Sequence, residues 1–203
     1  MIFENNINME KKKEKLLKIL LVGDTGVGKT SLMFRYTENI FNENYVTTIG
    51  VDSKNKILNI NSINHIIKIL DTAGQERYQS IARSYFRQVE GIFIVFDLTD
   101  YESFKSLDKW INIIKEVVEE PNIIILANKA DLIDVKVEDD QIKDFSFRNQ
   151  IKIIKISVKD NINIKEAFYD MINLIYVNPV IQRDSFVMNK DNHKNTEKKE
   201  HCC

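Results

Sequence analysis

Cysteine is nearly absent from this 203-residue chain, whose only two cysteines, Cys202 and Cys203, are adjacent at its end. Two adjacent cysteines cannot cross-link a fold, so the sequence predicts a cytosolic protein whose thiols serve another purpose. No uninterrupted apolar run reaches the roughly 18 residues that a membrane-spanning helix needs. The first residues, MIFENNINMEKKKEK, have little apolar sequence before their charges, which does not fit a secretory signal.

An excess of charge of one sign is also absent. The chain has 29 basic and 30 acidic residues, so its formal net charge is -1. Nucleic-acid-binding domains normally carry a concentrated basic excess, and we therefore predict that this chain binds no nucleic acid. Apolar residues make up 43% of the chain, which is enough for a sizeable core and excludes wholesale disorder.

Short apolar runs alternate with longer helical patterns through most of the chain. We predict strands at residues 16–22, 51–60, 63–70, 91–96, 123–127 and 151–156. The second and third of these flank an Asn-Ser turn and are predicted to form an antiparallel hairpin. Helices are predicted at 31–38, 104–118, 138–150 and 164–175. This alternation predicts an α/β sandwich with one antiparallel edge pair.

The chain divides into three parts by composition. Residues 1–14 are polar and charged, and we predict a flexible N-terminal extension. Residues 15–180 carry the alternating pattern and are predicted to form one folded domain. Periodicity then fades, and residues 181–203 are predicted to be a tail.

A glycine-rich segment after the first predicted strand matches the phosphate-loop pattern of two glycines, a lysine and a hydroxyl residue. Its residues are Gly23, Asp24, Thr25, Gly26, Val27, Gly28, Lys29 and Thr30. Glycines let successive backbone N–H groups converge on phosphate oxygens, and the following helix adds positive charge at its N-terminus. In this pattern Lys29 contacts the β- and γ-phosphates, and the Thr30 hydroxyl ligates magnesium. The strand before the segment and the helix after it favour phosphate binding over a chance glycine turn.

The segment DTAGQE follows the strand predicted at 63–70. A carboxylate at a strand end, here Asp71, can hold magnesium through water and so complete the metal site that Thr30 begins. Gly74 allows the backbone to approach the γ-phosphate and to change conformation when that phosphate leaves. Gln75 has the donor and the acceptor needed to orient an attacking water molecule.

The segment NKAD, with Asn128, Lys129 and Asp131, follows the strand predicted at 123–127. One carboxylate can accept hydrogen bonds from both N1–H and the 2-amino group of guanine, whereas adenine would leave Asp131 unpaired. A buried unpaired charge rejects a ligand strongly, so the segment predicts guanine selectivity. After the last predicted strand, backbone N–H groups of residues 157–159 can reach the guanine carbonyl; these residues are Ser157, Val158 and Lys159.

Together and in this order, these segments resemble the Ras-superfamily small GTPases, and within them the Rab family. The resemblance covers about residues 16–178. It implies the P-loop NTPase fold, a three-layer sandwich with a mostly parallel six-stranded sheet and one antiparallel edge strand. Four features resemble the Rab family more than related families: the segments IGVD at 49–52, QERY at 75–78 and SYFR at 84–87, and the terminal Cys-Cys.

The same resemblance implies further roles for single residues. Thr48 is the switch I threonine that meets magnesium and the γ-phosphate, and Phe41 packs against the guanine ring. Ser31 and Tyr45 also contact the nucleotide. Lys29 and Gln75 are the catalytic residues. The implied cofactors are Mg²⁺ and bound GTP or GDP.

The implied function is that of a GTP/GDP switch in vesicle trafficking that hydrolyses GTP slowly. Implied partners are an exchange factor, a GTPase-activating protein, a prenylation escort, a GDP-dissociation inhibitor, and effectors on switches I and II. Two lipids on Cys202 and Cys203 would attach the chain to the cytoplasmic face of an intracellular membrane, from which it cycles to the cytosol. The chain is expected to be a monomer.

The sequence also departs from the Rab pattern. Ser53 and Leu70 occupy positions where Rab proteins usually carry Phe and Trp, two members of an exposed aromatic triad that effectors contact. Their loss predicts a shifted set of partners, because aromatic side chains commonly anchor interfaces. Two other functions stay open: a scaffold that binds GTP without hydrolysing it, and a P-loop phosphotransferase acting on a small metabolite.

Overall fold

The apolar runs of the sequence form strands of a single sheet in the computed structural model, which describes residues 15–43, 48, 50–60, 63–72 and 79–179. The strands are β1 (Lys15–Val22), β2 (Val51–Ile60), β3 (Ile63–Thr72), β4 (Gly91–Asp97), β5 (Ile123–Asn128) and β6 (Ile153–Lys155). Their order in the sheet is β2-β3-β1-β4-β5-β6. Among these described strands, only the β2–β3 pair is antiparallel. The predicted six-stranded sheet with one antiparallel edge strand is therefore confirmed.

Helices cover both faces of this sheet. They are α1 (Lys29–Glu38), α2 (Gln79–Phe86), α3 (Tyr101–Lys105), α4 (Leu107–Lys115), α5 (Asp139–Asn149) and α6 (Ile164–Val177). One cluster of buried apolar side chains joins α2, α3, α4 and α5 to one face, and a second joins α1 and α6 to the other. These three layers are the predicted α/β sandwich. Among the helices described, none combines the length and the apolar character needed to cross a membrane.

The central strands bring the ends of distant segments to one edge of the sheet. Every residue of β4 and β5 is buried, as expected for parallel strands covered on both faces. Where β4 and β5 end, the pairing places Asp97 opposite Asn128. Near the ends of β1 and β3, in the other half of the sheet, Leu21 lies opposite Asp71. Because ligands of open α/β sheets bind beyond the carboxyl ends of the strands, this edge is the place to look for the site.

Apart from shifts of one or two residues at element ends, one helix and one strand differ from the predictions, and α2 was not predicted. The helix predicted at 104–118 is divided at Ser106 into α3 and α4, and α4 ends at Lys115. The strand predicted at 151–156 pairs only over Ile153–Lys155. The helix predicted at 138–150 is α5, which Glu138 and Gln141 cap reciprocally. The predicted Asn-Ser turn lies outside the described residues.

Candidate functional site

The glycine-rich segment forms the connection between β1 and α1. Gly23, Gly26 and Gly28 all have positive φ values, of 137°, 80° and 102°. A Cβ atom at Gly23 would collide with the carbonyl oxygen of Val95 in β4. The loop therefore passes so close to the neighbouring strand that glycine is required at this position.

Lys29 begins α1 and turns its side chain back into the loop. Its Nζ donates hydrogen bonds to the carbonyl oxygens of Gly23 at 3.0 Å and Asp24 at 2.7 Å. The side chain is buried, and burial lowers the pKa of Lys29 to about 8, although the carboxylates of Asp71 and Asp24 oppose this shift. A buried cation inside a curled backbone is well placed to contact an anion.

Three oxygen-bearing side chains meet beside the loop. The Thr30 hydroxyl donates to Asp71 Oδ2 at 2.5 Å and lies 2.7 Å from the Thr48 hydroxyl. Asp71 is fully buried, and its Oδ1 has no hydrogen-bond partner among the described groups. Burial raises the pKa of Asp71 to about 6, opposed mainly by the Thr30 hydrogen bond and by Lys29. Hydroxyl and carboxylate oxygens with one buried oxygen unsatisfied fit Mg²⁺, which prefers oxygen ligands.

Asn128 joins the phosphate loop to the predicted base-recognition loop. Its Nδ2 donates to the Val27 carbonyl at 2.8 Å, and its Oδ1 accepts from the Val158 N–H at 3.2 Å. The next residue, Lys129, has a positive φ of 65°, and its ammonium lies 2.5 Å from Asp97 Oδ2. The buried amide of Asn128 thus links the phosphate loop to the 157–159 loop.

The Asp131 carboxylate is held in place from one side. Ser157 Oγ donates to Asp131 Oδ1 at 2.6 Å and accepts from the Asp160 N–H at 2.9 Å. Ser157 is fully buried, whereas Asp131 is half-buried. The structure therefore orients this carboxylate at the edge of the site, with Oδ2 still able to accept further hydrogen bonds.

Arg35 of α1 ties the last predicted loop to the helix after the phosphate loop. Its Nε donates to the Val158 carbonyl at 2.8 Å, and its Nη2 donates to the Lys159 carbonyl at 2.9 Å. The guanidinium also lies 5.6 Å from the centre of the Phe41 ring. Lys159 pairs with Glu43 at 3.1 Å. These contacts place Phe41 next to the predicted base-binding residues.

The other predicted positions fall into two groups. Thr25 and Gly26 are exposed at the tip of the loop, and Ser31 is half-buried in α1. The remaining predicted site residues lie outside the described part of the chain; they are Tyr45, Gly74, Gln75, Cys202 and Cys203.

Of the two unusual positions, only Ser53 is exposed. Leu70 is only 6% exposed and packs in the core under α2. Its register partner across the hairpin is Ser53. At this point of the sheet the surface therefore presents the hydroxyl of Ser53 and neither aromatic ring of the family pattern.

Three contacts of the site were not predicted from the sequence. Trp110 Nε1 in α4 donates to Asp24 Oδ1 at 2.9 Å, Asp97 pairs with Lys129, and Arg35 binds the 157–159 loop. Asp97 is the last residue of the buried strand β4, as Asn128 is of β5, and a polar residue at such a strand end indicates a place in the site. Trp110 and Arg35 lie within ordinary helical patterns and carry no such signal.

Comparison with known proteins agrees with this geometry. The Ras family model matches residues 18–177. GTP-binding protein ypt1 of Schizosaccharomyces pombe is 38% identical over 165 residues, which cover 80% of this chain and 81% of that protein. Ras-related protein Rab-1D of Dictyostelium discoideum is 38% identical over 167 residues, 81% and 82% of the two chains. Human Ras-related protein Rab-15 is 38% identical over 169 residues, 82% and 80% of the two chains.

Proposed function

Because the chain belongs to the Ras family, and within it to the Rab-type small GTPases, we propose that the site described above holds GTP or GDP with Mg²⁺ and works as a two-state switch. Family membership confirms the predicted guanine nucleotide, the GTP hydrolase class and a general role in membrane trafficking. It also decides against a phosphotransferase acting on a small metabolite.

The observation that carries the proposed site is the double hydrogen bonding of Asn128. A single buried amide contacts the phosphate loop through Val27 and the 157–159 loop through Val158. A ligand that fills both halves must carry phosphates at one end and a base at the other, as a nucleotide does. The proposed base contact is Asp131, whose position Ser157 fixes.

The proposed phosphate contacts follow from the loop and the lysine inside it. Backbone N–H groups of residues 23–30 and the Lys29 ammonium face the β- and γ-phosphates, and the phosphates replace the two carbonyl oxygens that now accept from Nζ. Mg²⁺ in this class, when bound, neutralises charge that develops on the phosphates. The Thr30 and Thr48 hydroxyls would ligate it directly and Asp71 through water.

The proposed reaction is in-line attack of water on the γ-phosphate, with Gln75 orienting the water. Between Phe41 and Gly50 the sequence contains no arginine that could act on the transition state from within the chain. We therefore expect intrinsic turnover on the order of 10⁻⁴ per second, and strong acceleration by an activating protein that supplies an arginine. Loss of the γ-phosphate releases Thr48 and Gly74, and this release is the proposed switch.

Membrane attachment is proposed to use the end of the chain. Rab-type relatives act at intracellular membranes, and a single lipid chain binds a bilayer only marginally, so we propose that Cys202 and Cys203 both carry one. The lysines and acidic residues of 189–203 nearly balance, which makes a basic anchor ineffective. The proposed division is an extension at 1–14, a GTP-binding domain at 15–180 and a tail at 181–203.

The proposed partners follow from this cycle between membrane and cytosol. An exchange factor and a GTPase-activating protein would set the nucleotide state, and effectors would bind switches I and II in the GTP state. A prenylation escort and a GDP-dissociation inhibitor would carry the two lipids through the cytosol. The chain itself would act as a monomer at the cytoplasmic face.

One experiment tests the nucleotide directly. The purified protein is denatured, and the released small molecules are separated by chromatography. We expect GDP or GTP, and recovery of either nucleotide after adding it back to stripped protein. Release of ADP, or of nothing together with no affinity for added GDP, contradicts the proposed function.

A second experiment tests the base contact with a matched pair of variants. Asp131→Asn should lose preference for GDP over ADP, because an amide cannot accept both guanine donors. Asp134→Asn changes an exposed aspartate in the same loop and should keep that preference. Unchanged selectivity in Asp131→Asn refutes the assignment.

A single-turnover assay with activator present then distinguishes a hydrolase from a GTP-binding scaffold, which would release no phosphate.

A further inference from the structure

We propose that Trp110 is a positioning residue of the nucleotide site, and that its hydrogen bond to the Asp24 carboxylate of the phosphate loop slows nucleotide release. Trp110 is the only tryptophan of the chain. The inference rests on the proposed function, because it concerns how long the loop retains its nucleotide.

The contact between Trp110 and Asp24 joins the core to the loop over 86 residues of sequence. Trp110 of α4 is 2% exposed and its ring packs in the apolar cluster between the helices and the sheet. Its Nε1–H donates to Asp24 Oδ1 at 2.9 Å. The backbone carbonyl of the same Asp24 accepts from Lys29 Nζ at 2.7 Å. Asp24 is therefore held at its side chain by Trp110 and at its main chain by Lys29.

The Asp24 carboxylate repels the negatively charged phosphates that the loop binds, and the hydrogen bond from the Trp110 indole weakens this repulsion. The loop is built to surround polyphosphate, and a second negative charge beside it raises the free energy of the bound state. A hydrogen bond from a neutral donor compensates part of that charge and keeps the side chain from turning toward the phosphates. Without the donor, the Asp24 side chain is free to rotate toward the phosphates, and the phosphate loop loses its side-chain contact with α4.

The test measures release of fluorescently labelled GDP into excess unlabelled GDP. Trp110→Phe keeps an aromatic ring and removes the donor, and we expect release about tenfold faster, the factor that corresponds to losing about 1.4 kcal/mol from one hydrogen bond to a charged group. In an Asp24→Ala background there is no carboxylate to free, so the same change should alter the release rate less than about twofold.

The double-variant comparison separates positioning from packing. If Trp110→Phe accelerates release equally in both backgrounds, or in neither, the proposal is overturned. Phe145→Leu serves as the packing control, because Phe145 lies in the same core cluster and belongs to α5. It should lower the melting temperature and leave release unchanged. If wild-type protein retains no labelled GDP at all, the proposed function fails, which is a different result from equal rates.

A spectroscopic measurement covers the case in which Trp110→Phe does not fold. Since the chain has one tryptophan, its indole N–H gives a single assignable proton resonance. We expect Asp24→Ala to shift this resonance upfield and to speed its exchange with solvent, whereas Asp24→Asn, which keeps an acceptor oxygen, should preserve slow exchange. An indole resonance that is indifferent to both variants overturns the proposal.

Discussion

The side-chain amide of Asn128 donates a 2.8 Å hydrogen bond to the carbonyl of Val27, and so fastens the end of β5 to the middle of the phosphate loop. Asn128 is 2% exposed, and its amide oxygen is occupied by the Val158 N–H. Because both partners are buried backbone groups, removing the amide leaves a donor and an acceptor unsatisfied.

We expect Asn128→Ala to lower the free energy of unfolding by about 1–3 kcal/mol, the cost of stranding buried polar groups. Nucleotide affinity should fall by about tenfold or more, because the two loops lose their common contact. Chemical denaturation measures the first effect, and titration with labelled GDP measures the second.

Asn122→Ala is the matched control for this prediction. Asn122 immediately precedes the first residue of β5 and is 4% exposed. Its side-chain amide donates to the carbonyls of Glu90 and Asn178 at 3.0 and 2.9 Å. Its removal should cost similar stability and leave GDP affinity unchanged. Equal losses of affinity in the two variants would show that Asn128 acts only through general stability.

The sheet and the position of the site were predictable because their causes are local. Continuous apolar runs with β-branched residues identify β4 and β5, and the Asn-Ser turn between residues 51–60 and 63–70 identifies the hairpin. Parallel strands end at one edge, so motifs that follow strand ends must meet there. The meeting of Asp97 and Asn128 follows from that rule alone.

The cross-connections within the site were not predictable because they join residues far apart in sequence. Trp110 follows the apolar spacing of α4, and nothing in that spacing shows that its N–H reaches Asp24. Arg35 likewise looks like an ordinary charged residue at a helix end. The burial of Leu70 depends on how α2 packs against the sheet, which a single strand sequence does not contain.

The glycines of the phosphate loop should differ in what they tolerate. Gly23→Ala places a Cβ against the rigid backbone carbonyl of Val95 at a φ of 137°, and we expect a loss of at least about 3 kcal/mol of stability. At Gly26, with a φ of 80°, no described atom lies within 4 Å of the added Cβ. Gly26→Ala should therefore cost only about 1 kcal/mol of backbone strain. Thermal melting of both variants checks the order, and a reversed order would contradict it.

Arg35 should matter for nucleotide affinity although it does not belong to any predicted motif. Arg35→Met keeps the apolar stem and removes the donors to the Val158 and Lys159 carbonyls, so the 157–159 loop loses two of its supports. We expect GDP affinity to fall by several-fold, roughly the effect of about 1 kcal/mol.

The control is Arg148→Met, because Arg148 belongs to α5 and forms an exposed 3.4 Å pair with Asp108. Exposed pairs contribute little, so this variant should match wild-type stability and affinity. If Arg35→Met also retains wild-type affinity for labelled GDP, the 157–159 loop does not depend on α1 for its position.

Removal of magnesium should act through the cluster of Thr30, Thr48 and Asp71. We expect a chelator to accelerate GDP release from the wild-type protein strongly, because the hydroxyls and the Asp71 carboxylate then lose the cation that links them to the phosphates. In Asp71→Asn the carboxylate is gone, so the ratio of release rates with and without chelator should shrink toward one. The measurement is the release of labelled GDP at fixed ionic strength.

Asp52→Asn provides the comparison, since Asp52 lies opposite Asp71 in the β2–β3 register but is exposed, and its Oδ1 accepts from the Ser53 N–H. It removes the same charge from the neighbouring strand without touching the hydroxyl cluster. The chelator ratio of this variant should equal that of the wild type. A ratio reduced to the same extent in Asp52→Asn and Asp71→Asn would mean that magnesium responds to the overall charge of the hairpin, and Asp71 would then lose its assignment as the carboxylate that holds the ion through water.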